Sequence, residues 1–462
     1  MVDNIYFIGI GGIGMSALAR HFKFVGKNVA GYDKTPSRLT NEIQSEKISV
    51  IFEDDENLIP ETFRDKEDTL VVYTPAIPAD SHIYQYFLKG GFNLQKRATT
   101  LGMLTKELDA ICISGTHGKT TTSTLVAHIL RNSTVGCSAF LGGISANYAT
   151  NYWSNAESSF VVTEADEYDR SFLHLYPYLS LITAMDADHL DIYGNIKELR
   201  KAFHQFASQT QCGGSVVYKY GIDFDESVVD EDVEIFTYSC TNAKADFYAS
   251  KIILTPEGLY SFCFNSPMGQ ISNLVLGLPG LHNVENAVAA IALATLAGAQ
   301  DDEIRESLLS FRGNRRRFEF HLRTQEMVLI DDYAHHPQEI ATMLNSVRSL
   351  YPNRKLTVCF QPHLYTRTRD FADDFAKSLS IADRVFLLDI YPARELPIEG
   401  VSSSMLADKI EGNNKVSLTT KERLVEDLVA EPLEVVVVMG AGDIDRLLEP
   451  IADRMQQILN AR

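Results

Sequence analysis

Gly115-Thr116-His117-Gly118-Lys119-Thr120-Thr121-Thr122 follows the apolar run Ile111-Cys112-Ile113 and leads into Leu125, Val126, Ile129 and Leu130, which repeat at helical spacing. A glycine turn closed by a lysine and a hydroxyl residue suits a nucleoside triphosphate. Backbone amides cradle the phosphates, the Lys119 ammonium reaches the terminal ones, and the Thr120 hydroxyl can ligate Mg2+. Ile113 occupies the first glycine position of the usual pattern and Gly115 stands in nearby, so the loop is a variant. Mg2+ prefers oxygen ligands and takes one or two carboxylates besides the phosphates. Two acidic clusters end predicted strands, Glu164-Ala165-Asp166-Glu167 and Asp186-Ala187-Asp188-His189-Leu190-Asp191. Either alone reads as helix capping or a solvated loop; together, beside a triphosphate loop, they point to a metal.

A second glycine loop lies near the start of the chain, where Gly9, Gly11 and Gly14 follow an apolar run and Asp33 ends the next one. The separation of about 20 residues is that of a dinucleotide fingerprint. Its glycines let backbone amides approach a diphosphate at a helix N-terminus, and nothing in that geometry selects nicotinamide over a UDP-sugar. A tight turn without a ligand is the third reading.

The elements that must carry these loops alternate in the manner of parallel sheets with crossover helices. Strands are expected at 4–8, 28–32, 69–73, 110–113, 159–163 and 179–184, with a helix over 15–25. A β-rich span over 214–278 comes next, then a helix over 284–296. Further strands are expected at 327–330, 355–360, 384–388 and 434–439. The fold class is α/β in three domains: a Rossmann-like domain over 1–106, a central P-loop ATPase-like domain with a β-rich extension over 107–312, and a Rossmann-like domain over 313–462. A length of 462 residues agrees with about three domains of roughly 150 residues.

Hydrophobic residues make up 45% of the chain and charged residues 22%, which fits a soluble globular protein. The net charge of −19 disfavours a nucleic-acid partner. Six scattered cysteines without a Cys-x-x-Cys pair fit a reducing compartment, and no segment reads as a signal peptide or membrane span. A cytoplasmic protein without membrane insertion is expected, as monomer or homodimer.

The two loops belong to a longer series of motifs: Thr74-Pro75-Ala76-Ile77, Leu281-His282-Asn283-Val284-Glu285-Asn286, Arg316-Arg317-Phe318, Asp331-Asp332-Tyr333-Ala334-His335-His336-Pro337, and residues 360–368. In this order they resemble the Mur ligases of peptidoglycan synthesis over nearly the whole chain. The resemblance implies that the first loop holds a UDP-sugar through Gly11, Gly12, Ile13, Gly14, Asp33, Thr74 and Arg97. It implies ATP at Gly115, Thr116, His117, Gly118, Lys119, Thr120 and Thr121, with His282, Asn283 and Asn286 near the adenine and Arg317 and Asp332 completing the site. Mg2+ would be held by Thr120, Glu164 and His189. Lys119, Glu164, His189, His335 and Arg367 would serve catalysis, Arg367 toward the anionic intermediate or the amino-acid carboxylate. Helix capping by His336-Pro337, core packing of His363 and N-capping by Asn283 stand as alternative readings of those residues.

The implied reaction is ATP-dependent ligation of L-alanine to the lactyl carboxylate of UDP-N-acetylmuramate through an acyl phosphate, with a hinge near residues 311–314 letting the last domain close. Its rivals are a ligase adding a whole tripeptide to the same sugar nucleotide, an NAD-dependent oxidoreductase and a nucleotide-switched binding module. Two departures from the family pattern stand out. Leu364 occupies a position where many members carry Arg, with Arg369 as a substitute, and Phe203 falls where sister ligases place a modified lysine.

Overall fold

The computed structural model describes residues 2–187, 190–393, 395–410 and 415–461, with the side chains of 190 and 191 left aside. Two compact units divide the chain. One holds 1–253, 261–277 and 284–312; the other holds 254–260, 278–283 and 313–462.

The first unit contains two sheets. The N-terminal one is fully parallel, in the order Ser49–Ile51, Asn28–Tyr32, Asn4–Ile8, Thr69–Tyr73, Asn93–Lys96. Asn4–Ile8 is buried along its whole length because it lies in the middle and helices cover both faces, the reason it reads as a continuous apolar run. The helix after it is Ile13–Phe24.

The second sheet runs Gly269–Leu276, Tyr260–Ser266, Phe247–Leu254, Glu234–Ser239, Ser215–Lys219, Leu179–Ile182, Asp109–Ser114, Phe160–Glu164, Ser138–Phe140, Tyr152–Trp153. From Glu234–Ser239 to Ser138–Phe140 the neighbours are parallel. Asp109–Ser114 is therefore flanked by Leu179–Ile182 and Phe160–Glu164, and the three strands end at one edge. That edge is where open α/β sheets place ligands.

The second unit is built on Glu319–Arg323, Val328–Asp332, Val435–Met439, Leu356–Phe360, Arg384–Leu387 and Lys415–Leu418, parallel except for Glu319–Arg323. Its boundary at Arg312 and Gly313 falls within the expected hinge. The helix expected from 284 begins earlier, at Leu281, directly after Gly280 in a left-handed turn. All six cysteines are free, and no helix among the described residues is long and apolar enough to cross a membrane.

Candidate active site

The strand Asp109–Ser114 runs straight into the triphosphate loop, and the helix Lys119–Arg131 starts at its end with Gly118 as an N-cap that contributes no side chain. The first-turn amides of that helix thus face outward as an anion site. Gly115 has φ 123°, and a Cβ there would lie 2.1 Å from Thr183 Oγ1 and 2.8 Å from backbone nitrogens. Only glycine lets the loop pass this close to the neighbouring strand end. Thr116 accepts from Asp186 N over 3.2 Å, and His117 Nε2 stands 3.6 Å from Asp186 Oδ2. Asn286 is brought against the loop, its Oδ1 being 2.7 Å from where a Cβ on Gly118 would sit. Thr121 is half-buried on the following helical residue.

Thr120 Oγ1 donates to Glu164 Oε2 over 2.8 Å, joining the first turn of the helix to the end of the adjacent strand. Lys119 Nζ donates to the Gly115 carbonyl over 2.7 Å and lies 2.8 and 3.0 Å from the two carboxylate oxygens of Glu167. Glu167 is fully buried. Burial pulls the Lys119 ammonium down, but Glu167, Asp166 and Glu164 outweigh it and hold the group above the ordinary lysine range. A charged lysine, a hydroxyl and a carboxylate therefore meet at one loop, and the oxygen donors of Thr120 and Glu164 suit a hard divalent cation. Asp188 and His189 lie outside the described residues.

The first glycine loop gathers its expected partners. Gly11 N donates to Asp33 Oδ2 over 2.8 Å, and Asp33 Oδ1 accepts from Thr35 N. Asp33 thus shapes the turn. Arg97 lies over Gly14, its Nη1 being 2.9 Å from an ideal Cβ there, and Thr74 packs against Gly9 in the same way at 2.7 Å. Gly12 caps the helix that begins at Ile13 without a side chain. Asn151, directly before the strand Tyr152–Trp153 of the second sheet, donates to Ile13 O over 2.6 Å and to Ser16 Oγ over 3.0 Å, and accepts from Arg20. Lys96 meets Asp169 over 3.4 Å. These bonds join the residues of the first sheet to those around the second within one unit.

In the second unit, Asp332 accepts from the amides of Phe318 and Ala334, each over 2.8 Å. Burial pushes its carboxyl up against the pull of Arg317 and those amides. Arg317 lies over the Tyr333 ring at 5.2 Å and 3.9 Å from Glu339. His335 Nδ1 faces Tyr333 O at 2.9 Å, and burial holds the ring below the usual histidine range despite Glu339. Arg367 is among the charges acting on His335. His336 precedes Pro337 at the start of the helix Pro337–Leu350, and Glu339 accepts from the amides of His335 and His336. His363 stacks on Tyr391 at 5.7 Å and faces His335 at 5.9 Å. Leu364 adopts φ 70°, and Arg369 is exposed on Asp370.

His282 Nδ1 stands 3.0 Å from Ser346 Oγ, and burial lowers the ring to about 4. Asn283 lies inside the first turn and donates to Pro279 O over 2.6 Å, which is not an N-cap contact. Phe203 is fully buried, edge-on to Phe172 at 5.2 Å, so that position belongs to the core.

Motif reading gave Glu339 no role and took Glu167 only as a member of its acidic cluster. Glu167 could have been found as the third carboxylate of its cluster; Glu339 carries only the spacing of a capping box after His336-Pro337.

Three family profiles match along the chain: "Mur ligase family, catalytic domain" over residues 4–108, "Mur ligase middle domain" over 113–294 and "Mur ligase, glutamate ligase domain" over 316–442. The UDP-N-acetylmuramate–L-alanine ligase of Porphyromonas gingivalis is 50% identical over 458 residues, covering 99% of this chain and 100% of that protein. The ligase of the same name from Parabacteroides distasonis is 50% identical over 452 residues, covering 98% and 97%. The solved UDP-N-acetylmuramate-alanine ligase of Thermotoga maritima superposes with a TM-score of 0.82 at 28% identity, covering 98% of this chain and 99% of that one. A murein peptide ligase from Psychrobacter arcticus, at 20% identity and a TM-score of 0.69 over 98% of each chain, shares the fold.

Proposed function

The chain belongs to the Mur ligase family, and we propose that it joins L-alanine to the lactyl carboxylate of UDP-N-acetylmuramate, converting ATP to ADP and phosphate. One observation carries this reading: half of all residues are identical along the full length of ligases named for that reaction. Two uncapped helix N-termini after glycine turns in one unit support it, because two anionic nucleotides need two anion sites. The tripeptide-adding and oxidoreductase readings draw no comparable support, since the murein peptide ligase is alike in fold alone.

A carboxylate does not acylate an amine at neutral pH, because oxide is a poor leaving group. The lactyl carboxylate attacks the γ-phosphorus of ATP, ADP leaves, and an acyl phosphate forms. The free amine of L-alanine then attacks the acyl carbon, the C–O bond to phosphate breaks, and the amine proton passes to solvent. The first step drives an anion against a polyanion, so catalysis is chiefly positioning and electrostatics. Lys119 and the amides after Gly118 neutralise the phosphates, while Arg97 and the helix at Ile13 hold the uridine diphosphate. Thr120 and Glu164 would hold Mg2+, which when bound supplies charge neutralisation at the phosphate oxygens. His189 is proposed as a further ligand. Arg317, Asp332 and His335 are proposed to serve the nucleotide, and Arg367 the anionic intermediate or the amino-acid carboxylate.

Phosphate release is to be measured from Mg-ATP with UDP-N-acetylmuramate alone, with L-alanine alone and with both. Stoichiometric release is expected only with both, and release with a tripeptide in place of L-alanine, or none at all, overturns the assignment.

A further inference from the structure

Glu167 is not needed to complete the ligand set of Thr120 and Glu164, yet the backbone around it is strained. Asp169 and Arg170 are successive non-glycine residues at φ 52° and φ 55°. Left-handed conformations are sterically costly for residues with a Cβ, so a pair of them persists only where surrounding contacts over-determine it. Those contacts converge on Glu167. Its carbonyl accepts from Arg170 N over 3.0 Å and from the Tyr193 hydroxyl over 2.6 Å. The Arg170 guanidinium lies 4.9 Å over the Tyr193 ring, and Asp169 is tied to Lys96. The platform delivers a fully buried carboxylate, both oxygens within 3.0 Å of Lys119 Nζ, beside the loop whose Gly115 carbonyl also accepts from that ammonium.

We propose that Glu167 is a positioning residue: it stands in for a phosphate toward Lys119, keeping the ammonium aimed into the loop until ATP takes it over. The proposal rests on the ligase reading only in assigning ATP to this loop. A carboxylate in that place repels the incoming triphosphate, so it weakens ATP binding in the ground state. In return it removes the disorder of a long flexible side chain, and that gain appears in the transition state, where the phosphoryl charge must be met at a fixed point.

The test compares wild type with Glu167→Gln and Tyr193→Phe. Mg-ATP binding is followed without the other substrates by equilibrium dialysis and by the ATP-induced rise in Tm, alongside kcat and KM in the complete assay. For Glu167→Gln the expected result is a split. ATP is bound as tightly or up to about 10-fold more tightly, the ATP-induced Tm rise is at least that of wild type, and kcat falls about 10- to 100-fold. Tyr193→Phe frees the Glu167 carbonyl while keeping the ring, and should lower kcat a few-fold without weakening ATP. The Mg2+ concentration for half activity should stay in place in both variants. Weaker ATP binding in a folded variant, a shifted Mg2+ requirement, or unchanged kcat each overturns the proposal. If Glu167→Gln does not fold, Tyr193→Phe decides alone by the same criteria. Wild type that binds ATP but releases no phosphate with both substrates sinks the ligase reading and leaves the dialysis and Tm comparisons decisive for Glu167.

Discussion

Thr120 Oγ1 and Glu164 Oε2 lie 2.8 Å apart, across the gap between the first turn of one helix and the end of the adjacent strand. Neither residue needs the other to fold its own element. Gly142 leaves room for the carboxylate, since a Cβ there would be 1.9 Å from Glu164 Oε2. A hydroxyl and a carboxylate held this way beside the loop offer the hard oxygen donors that the proposed divalent cation would need. Glu164→Gln and Thr120→Val should each lower kcat by about 10- to 100-fold and move the Mg2+ titration to higher concentration. Loss of activity with an unmoved Mg2+ midpoint would assign the pair a role other than metal binding.

Lys119 faces a different test, because its partner is buried. Lys119→Met removes the proposed phosphate contact, worth about 1.5–3 kcal/mol, and should lower turnover by at least about 10-fold. It also strands Glu167, and breaking a buried ion pair costs about 3–5 kcal/mol. Urea unfolding without nucleotide should show that loss. The double variant Lys119→Met, Glu167→Gln should recover much of it while remaining inactive, and additive losses would mean that the two side chains are not energetically coupled.

Gly115 is constrained on two counts, a φ of 123° and the Thr183–Ala184 backbone at 2.8 Å from its missing Cβ. Alanine at this position must shift the loop away from the strand end. Gly115→Ala is expected to be destabilised by about 1–3 kcal/mol and to lose detectable ATP binding, read by thermal unfolding with and without Mg-ATP. Binding that survives at wild-type affinity would show that the loop can relax without losing its cradle.

Much of this arrangement was legible because parallel sheets write themselves as short apolar runs with polar residues at one end. Asn4–Ile8, Asn28–Tyr32 and Thr69–Tyr73 were expected at their observed limits for that reason. Edge strands such as Ser49–Ile51 and Lys415–Leu418 escaped notice, being short and half exposed, so no apolar run marks them. That Lys119, Thr120 and Glu164 come together at one loop was legible, since phosphate and metal chemistry restrict residue types at fixed spacing. Asn151 was not: its bonds to Ile13 and Ser16 span more than a hundred residues of sequence, and an asparagine before two aromatics has no local signature. The strain at Asp169 and Arg170 was equally silent, because neither residue type announces a positive φ.

Asp332 offers a sharper substitution than truncation would. Its two oxygens each accept from a backbone amide, those of Phe318 and Ala334. Asp332→Asn keeps the shape but turns an NH2 donor against one of those amides, leaving a buried donor unsatisfied at about 1–3 kcal/mol. Thermal unfolding should register the loss, and kcat/KM for ATP should fall with it if Arg317 and His335 depend on this turn for their placement. Full activity in a destabilised Asp332→Asn protein would confine the residue to folding.

His128 sets an acid limit on stability. It is 2% exposed on the triphosphate-loop helix, with Nε2 3.0 Å from Ser307 O and Nδ1 2.8 Å from the Tyr148 hydroxyl. A carbonyl only accepts, so Nε2 carries the proton and the neutral ring accepts from Tyr148 at Nδ1. Burial lowers the ring to about 4, while the unfolded chain titrates at the ordinary value of 6.5. Between those values the unfolded chain binds more protons than the folded one. The contribution is therefore complete above about pH 6.5 and is lost as the pH falls toward 4, amounting to about 3 kcal/mol. His128→Gln removes the titrating group, so its unfolding free energy between pH 7 and 4 should fall less steeply than that of wild type. Parallel curves for the two proteins would place the acid sensitivity in other groups.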